Sequence, residues 1–249
     1  MAENIPQEKG LMAKLADSQA APPWGIGEVG LALLVLMIGL LIIGTSFTAS
    51  VASNSNNPES ITYILGWMLG LVIVAIFVFI RWRRTKERFD ALQLANGKWH
   101  PLLAILVGIA GTFTAASIAG LGSAELIAPM QVIGVNNVLT SLVSITLFVI
   151  VVQPIAEGLV FWGIALPRLR ASWGAWAGLL TSVLLFAIYY YLVFGSRTSG
   201  GLALWYGAVY PLIIGFTLAA VRVWSQSTRS AILAQMGVGI SILLTLIVT

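Results

Sequence analysis

The chain has 249 residues, of which 59% are hydrophobic and 9% charged, and its mean hydropathy is +0.96. A soluble domain carries about 25% charged residues, so this composition excludes a water-soluble globule, whose surface needs polar cover. With no Cys, the chain has no route to disulfides, thiolate chemistry or Cys-ligated clusters, and the single histidine, His100, excludes a multi-histidine metal site within one chain.

The first 27 residues are polar, include Ala-Pro-Pro-Trp at 21–24, and read as a cytoplasmic tail lying on the membrane surface. The apolar run that follows is too long, and starts too far from Met1, for a signal peptide, despite the small residues Ser50-Val51-Ala52. Crossing the hydrocarbon takes roughly 20 apolar residues of helix. Runs of that length predict seven spans, at about 28–52, 61–82, 101–121, 137–167, 171–194, 201–225 and 229–248. The expected fold is all-α, a polytopic helical membrane bundle over 28–249. The third run is the weakest, being rich in small and hydroxyl residues. The fourth is too long for one perpendicular crossing, and Pro154 removes a backbone N–H in its middle, which predicts a kink or tilt. Gly66-x-x-x-Gly70 and Gly174-x-x-x-Gly178 are candidate close-packing pairs, and Trp24, Trp82, Trp99 and Trp173 suit interfacial belts.

Charge placement gives the orientation. Lys9 and Lys14 precede the first span, and Arg81, Arg83, Arg84, Lys86, Arg88 and Lys98 lie between the second and third. Arg168 and Arg170 follow the fourth, while Arg222 and Arg229 flank the turn between the last two. Seven spans put all of these on one side, twelve of the 13 Lys and Arg, with Arg197 alone opposite. The positive-inside rule then predicts a multi-pass protein of the cytoplasmic (inner) membrane with a cytoplasmic N-terminus. The Arg81, Arg83, Arg84, Lys86, Arg88 cluster reads as a topology anchor. Its alternative role is contact with anionic lipid headgroups, at about 1 kcal/mol for each cation.

Glu157 is the outlying residue. It lies about ten residues, roughly 15 Å of helix, inside the fourth run. An ionisable group at that depth is costly and is a functional-site candidate by default. The expected form is a neutral acid, with Gln153 one turn earlier on the same face as its natural hydrogen-bond partner. The simpler role is a satisfied polar group that holds helices together. His100 reads as an interfacial residue beside Trp99, with axial ligation of a haem or chlorophyll metal as the alternative. Ser182 has no histidine within expected reach, so a serine nucleophile is not supported.

A resemblance is carried by Pro154-Ile155-Ala156-Glu157-Gly158-Leu159-Val160-Phe161-Trp162-Gly163 with Leu166-Pro167-Arg168-Leu169, by the helix holding Phe186-Ala187-Ile188-Tyr189-Tyr190, and by Gln235-Met236-Gly237-Val238-Gly239. In order and spacing these are similar to the motifs of the CPBP family, the CAAX-type prenyl endopeptidases and bacteriocin-processing or self-immunity membrane proteins. The resemblance covers about 150–240 and implies a CPBP-like core over about 137–249. The family's first motif is P-x-x-E-E-x-x-F-R-G, followed by F-x-x-x-H and a late H-x-x-x-N. In that family, the paired Glu residues activate a water, one His assists, and a second His with Asn stabilises the oxyanion. Matched by position, Glu157 keeps the first Glu. Gly158 replaces the second Glu, Trp162 the Arg, Tyr190 the first His, Gln235 the second His and Gly239 the Asn. Tyr190 and Gln235 can each hydrogen-bond, so the resemblance implies a polar pocket in which a neutral Glu157 bonds to Tyr190, Gln235 or Gln153.

Acid–base catalysis needs groups that exchange protons near neutral pH. Tyr titrates near 10 and an amide does not titrate in this range. The resemblance therefore implies the family's shell without its chemistry: a pseudoenzyme with no catalytic residues of its own. The expected role is a scaffold, assembly factor or accessory subunit of a larger membrane complex, photosynthetic or respiratory complexes being examples. The expected partners are lipids and other integral membrane subunits, not nucleic acid. No cofactor or metal of its own is expected, and a bound lipid, pigment or quinone is left open. The alternatives are a peptide- or lipid-binding self-immunity factor and a residually active endopeptidase.

Overall fold

Seven helices are long and apolar enough to cross a bilayer in the computed structural model of the chain: Ile26–Val51, Thr62–Trp82, Pro101–Ile118, Leu142–Trp173, Ala175–Val193, Gly207–Ser225 and Thr228–Thr245. The described residues are 10–17, 20–52, 60–95, 97–121, 138–193 and 204–248. Lys9 and Arg197, used above for orientation, lie outside them. Large apolar side chains such as Leu34, Ile80, Phe113, Leu180 and Tyr191 point away from the bundle. In a membrane that outer layer meets lipid.

Small residues set the closest crossings. A Cβ added at Gly70 would strike the Gly39 carbonyl, and one at Gly66 would strike that of Gly44, so the first two spans touch backbone to backbone. The third and seventh spans approach in the same way, Gly108 against the Ala234 carbonyl and Gly237 against that of Ile105. The Gly174/Gly178 pair splits in its role. Gly178 packs on the Leu169–Arg170 backbone, but Gly174 has φ +89° and ends the fourth span, a turn that favours glycine.

The segment before the first span is not wholly superficial. It forms a short helix, Leu11–Ala16, with Leu15 buried, and Trp24 is only 3% exposed. The Trp24 indole N–H donates to the Ile164 carbonyl at 3.1 Å, and its ring meets Trp82 edge-on at 6.3 Å. Trp82 is fully buried, so neither ring belongs to an interfacial belt. Trp173 is half exposed, and Trp99, partly buried, lies against Trp224.

The basic end of the bundle is stitched by polar contacts. The turn between the last two spans pivots on Gln226, at φ 56° and ψ 31°. Beside it, the Thr228 hydroxyl donates to the Leu92 carbonyl at 2.6 Å and its N–H to the Gln93 carbonyl at 3.0 Å. The arginine cluster divides. Arg81 and Arg88 reach Glu28, at the start of the first span, at 3.2 and 2.7 Å, whereas Arg83, Arg84 and Lys86 are exposed. Glu28 also accepts from the Gly25 N–H at 3.2 Å, closing the helix start. Partly exposed ion pairs contribute at most about 1 kcal/mol each. Glu28→Gln should therefore lower unfolding stability by about 1 kcal/mol, a loss that shrinks as salt is raised in a denaturation series.

The fourth span changes its winding around its acid. Pro154 cannot donate to the carbonyl four residues back. The helix widens to π geometry just before it, over Leu147–Val152, returns to α over Gln153–Glu157, and widens again over Gly158–Ala165. Insertions of this kind re-aim the side chains of one turn and recur at functional positions.

Candidate functional site

The single α turn between the two π segments carries both Gln153 and Glu157, and the i to i+4 spacing brings them to the same face. Glu157 is fully buried. Gln153 Nε2 donates to its Oε1 at 2.9 Å and to the Tyr190 hydroxyl at 2.9 Å. From the fifth span, Tyr189 donates to Oε1 at 3.0 Å and Tyr190 to Oε2 at 3.2 Å. From the seventh, Gln235 Nε2 donates to Oε2 at 2.6 Å. Three helices thus meet on one carboxyl group, each through side chains that hydrogen-bond without carrying charge.

The structure brings together Glu157, Gln153, Tyr190 and Gln235, and adds Tyr189, which the sequence argument passed over. Motif matching selects one position on the fifth span. Helix geometry allows two successive tyrosines to reach one carboxyl when it sits between them, and the Tyr-Tyr pair in the sequence was the available signal.

Four donors around two oxygens complement an ionised carboxylate. Gln235 Oε1 has no hydrogen-bond partner among the described residues. Exchanging the amide O and N of Gln235, an assignment fixed only by hydrogen bonding, would put an acceptor 2.6 Å from Oε2. That separation is typical of an O–H···O bond. The ring can therefore satisfy the acid with or without its proton.

The remaining motif positions are filled with packing. A Cβ at Gly158 would collide with the Ile232 side chain, and one at Gly239 with the Val149 carbonyl. Trp162 is fully buried against Phe161 and Phe186, and its carbonyl accepts from Arg222 Nε at 3.1 Å. Phe186 in turn stacks on Tyr190 at 4.5 Å between ring centroids. Where the motif would supply a second acid, an amide side chain or a cation, the chain has methylenes, backbone and indole.

His100 lies apart from this cluster. It is exposed at the start of the third span, where its Nδ1 accepts from the Leu102 N–H at 3.3 Å and so caps the helix. The Ser182 hydroxyl donates to the Gly178 carbonyl at 2.8 Å within its own helix. Among the described residues, no three His, Cys, Asp or Glu side chains gather in a metal-binding group.

Comparison with known proteins finds a family match. Residues 139–240 match the family described as type II CAAX prenyl endopeptidase Rce1-like, a segment that contains Glu157, the two tyrosines, Gln235 and Gly239. No curated protein and no solved structure matches the chain. A bundle with seven helices long and apolar enough to cross a membrane thus carries over residues 139–240 a domain of the Rce1-like (CPBP/CAAX protease) family.

Proposed function

We propose that this chain is a catalytically silent relative of the CAAX-type endopeptidases that serves as a structural or accessory component in the membrane. One observation carries the reading. Glu157 is sealed from solvent by two amides and two phenols, and the flanking motif positions are closed by Ile232 and the Val149 backbone. Hydrolysis requires a base that takes a proton from water and returns it to the leaving group. It also requires donors aimed at the developing oxyanion, each worth roughly 10²–10³ in rate. Glu157 has its donors already, and they point at the acid itself. Such a ring suits a fixed joint between helices. The exposed apolar faces of the outer spans suit contact with lipid and with other membrane subunits, but they do not say which.

The test is direct. The purified protein, incubated with farnesylated CAAX peptides in detergent or vesicles, should give no product above a blank, and Glu157→Gln should behave identically. Cleavage that disappears in Glu157→Gln would overturn the reading. For the accessory role, mild-detergent purification should yield a stoichiometric membrane partner, and a lone colourless monomer would count against it.

A further inference from the structure

At the basic end of the bundle, away from Glu157, a cavity of about 480 Å³ lies between the Leu11–Ala16 helix and the ends of the fourth and sixth spans. Small-ligand sites typically occupy about 300–1,000 Å³. Its wall includes Arg170 and Arg222, which are only 3% and 2% exposed, together with Lys14, Asp17, Glu87 and Gln226.

The two arginines are held for a purpose that the protein's own contacts do not complete. Arg170 donates from Nη1 to the Ala175 carbonyl at 3.2 Å and from Nη2 to the Asp17 carbonyl at 2.8 Å, and the Asp17 charge lies near it. Arg222 donates from Nε to the Trp162 carbonyl at 3.1 Å and to the Thr228 hydroxyl at 3.0 Å. Every one of these acceptors is neutral. Arg170 Nε and Arg222 Nη2 have no hydrogen-bond partner among the described residues. The two guanidinium charges are also near enough to repel each other. Asp17 counters Arg170 but leaves a positive charge over from the two buried guanidinium groups; such a residual charge is costly, and guanidinium groups match phosphate oxygens in geometry.

We propose that this cavity binds a phosphate ester, its anionic oxygens seated against Arg170 and Arg222. Phosphate suits the site better than a carboxylate because two separate forks need several acceptor oxygens. Asp17 and Glu87 on the wall favour a ligand whose remaining part carries hydroxyl or amine donors. Its place at the cationic end of the spans admits two sources, a phospholipid headgroup or a soluble phosphate ester.

The whole protein should be tested in two arms. In one, detergent-solubilised protein is titrated with glycerol 3-phosphate, with inorganic phosphate as competitor. In the other, nanodiscs of phosphatidylglycerol are compared with phosphatidylcholine, and retained lipid is counted by native mass spectrometry. Saturable binding in the first arm assigns a soluble ester. Selective retention of phosphatidylglycerol in the second assigns a headgroup. Arg222→Gln should abolish either, but it also strips contacts from the fold. Gln226→Asp therefore serves as the second variant, since Gln226 is exposed and its left-handed backbone suits Asp. The added negative charge should weaken binding about tenfold and, by countering the buried arginines, should hold or raise the unliganded melting midpoint. Absence of binding in both arms, or affinity unchanged by Gln226→Asp, would overturn the assignment.

Discussion

Glu157→Leu is expected to destabilise the fold by about 2–6 kcal/mol, from about 1–3 kcal/mol for each of two buried donors left without an acceptor. The leucine fills the volume but strands Tyr189 and Gln235, whose donated bonds end on Glu157, and takes one acceptor from Tyr190. Gln153 keeps its bond to the Tyr190 hydroxyl. Glu157→Gln retains one acceptor oxygen and should lose about 1–2 kcal/mol. Unfolding of the three proteins in the same detergent, followed by tryptophan fluorescence, measures both differences. The direction separates two roles. A group kept for chemistry is commonly held at some cost to stability, so its removal should be neutral or stabilising. A group kept as a joint should be missed. Wild-type stability in Glu157→Leu would remove the structural account of this residue.

The second large effect concerns the neighbouring position. Gly158→Glu restores the acidic pair of the family motif in sequence, yet it should yield poorly folded protein and no hydrolysis. Its Cβ alone enters space held by Ile232, and overpacking a tight core costs about 1–3 kcal/mol. A second buried acid beside Glu157 would add about 3–5 kcal/mol as an uncompensated charge. Size-exclusion behaviour and the thermal midpoint of the variant would show the loss. The double variant Gly158→Glu with Ile232→Ala removes the collision and should recover part of the stability. It should still not cleave prenylated peptide, because Tyr190 and Gln235 remain where the motif has histidines. Cleavage by the double variant would show that packing, rather than proton chemistry, silences the site.

The spans could be read from the sequence because hydrocarbon thickness fixes the length of an apolar helix, and no water-soluble fold could cover seven such runs. Gln153 and Glu157 could be paired because a spacing of four residues is a local property of a helix. Tyr190 and Gln235 came from motif position, which carries long-range information that periodicity lacks. The π segments around Pro154 were out of reach. A proline predicts only that the backbone must adjust, and whether it kinks or widens depends on what packs alongside. Trp24 and Trp82 were misplaced for a related reason. Hydropathy locates a tryptophan near a span's end without saying whether it faces lipid or another helix. The Arg170–Arg222 cavity was hidden because the two residues are separated in sequence and each reads alone as a positive-inside marker.

The bond from Trp24 to Ile164 joins positions 140 residues apart. As the chain leaves the ribosome, the indole enters the bilayer region long before its acceptor has been made. The N-terminal segment thus latches only once the fourth span has been made, although it precedes that span in the chain. A bulky fusion at that end would be held outside the helix bundle until the fourth span arrives, and assembly rather than insertion is the step it would slow.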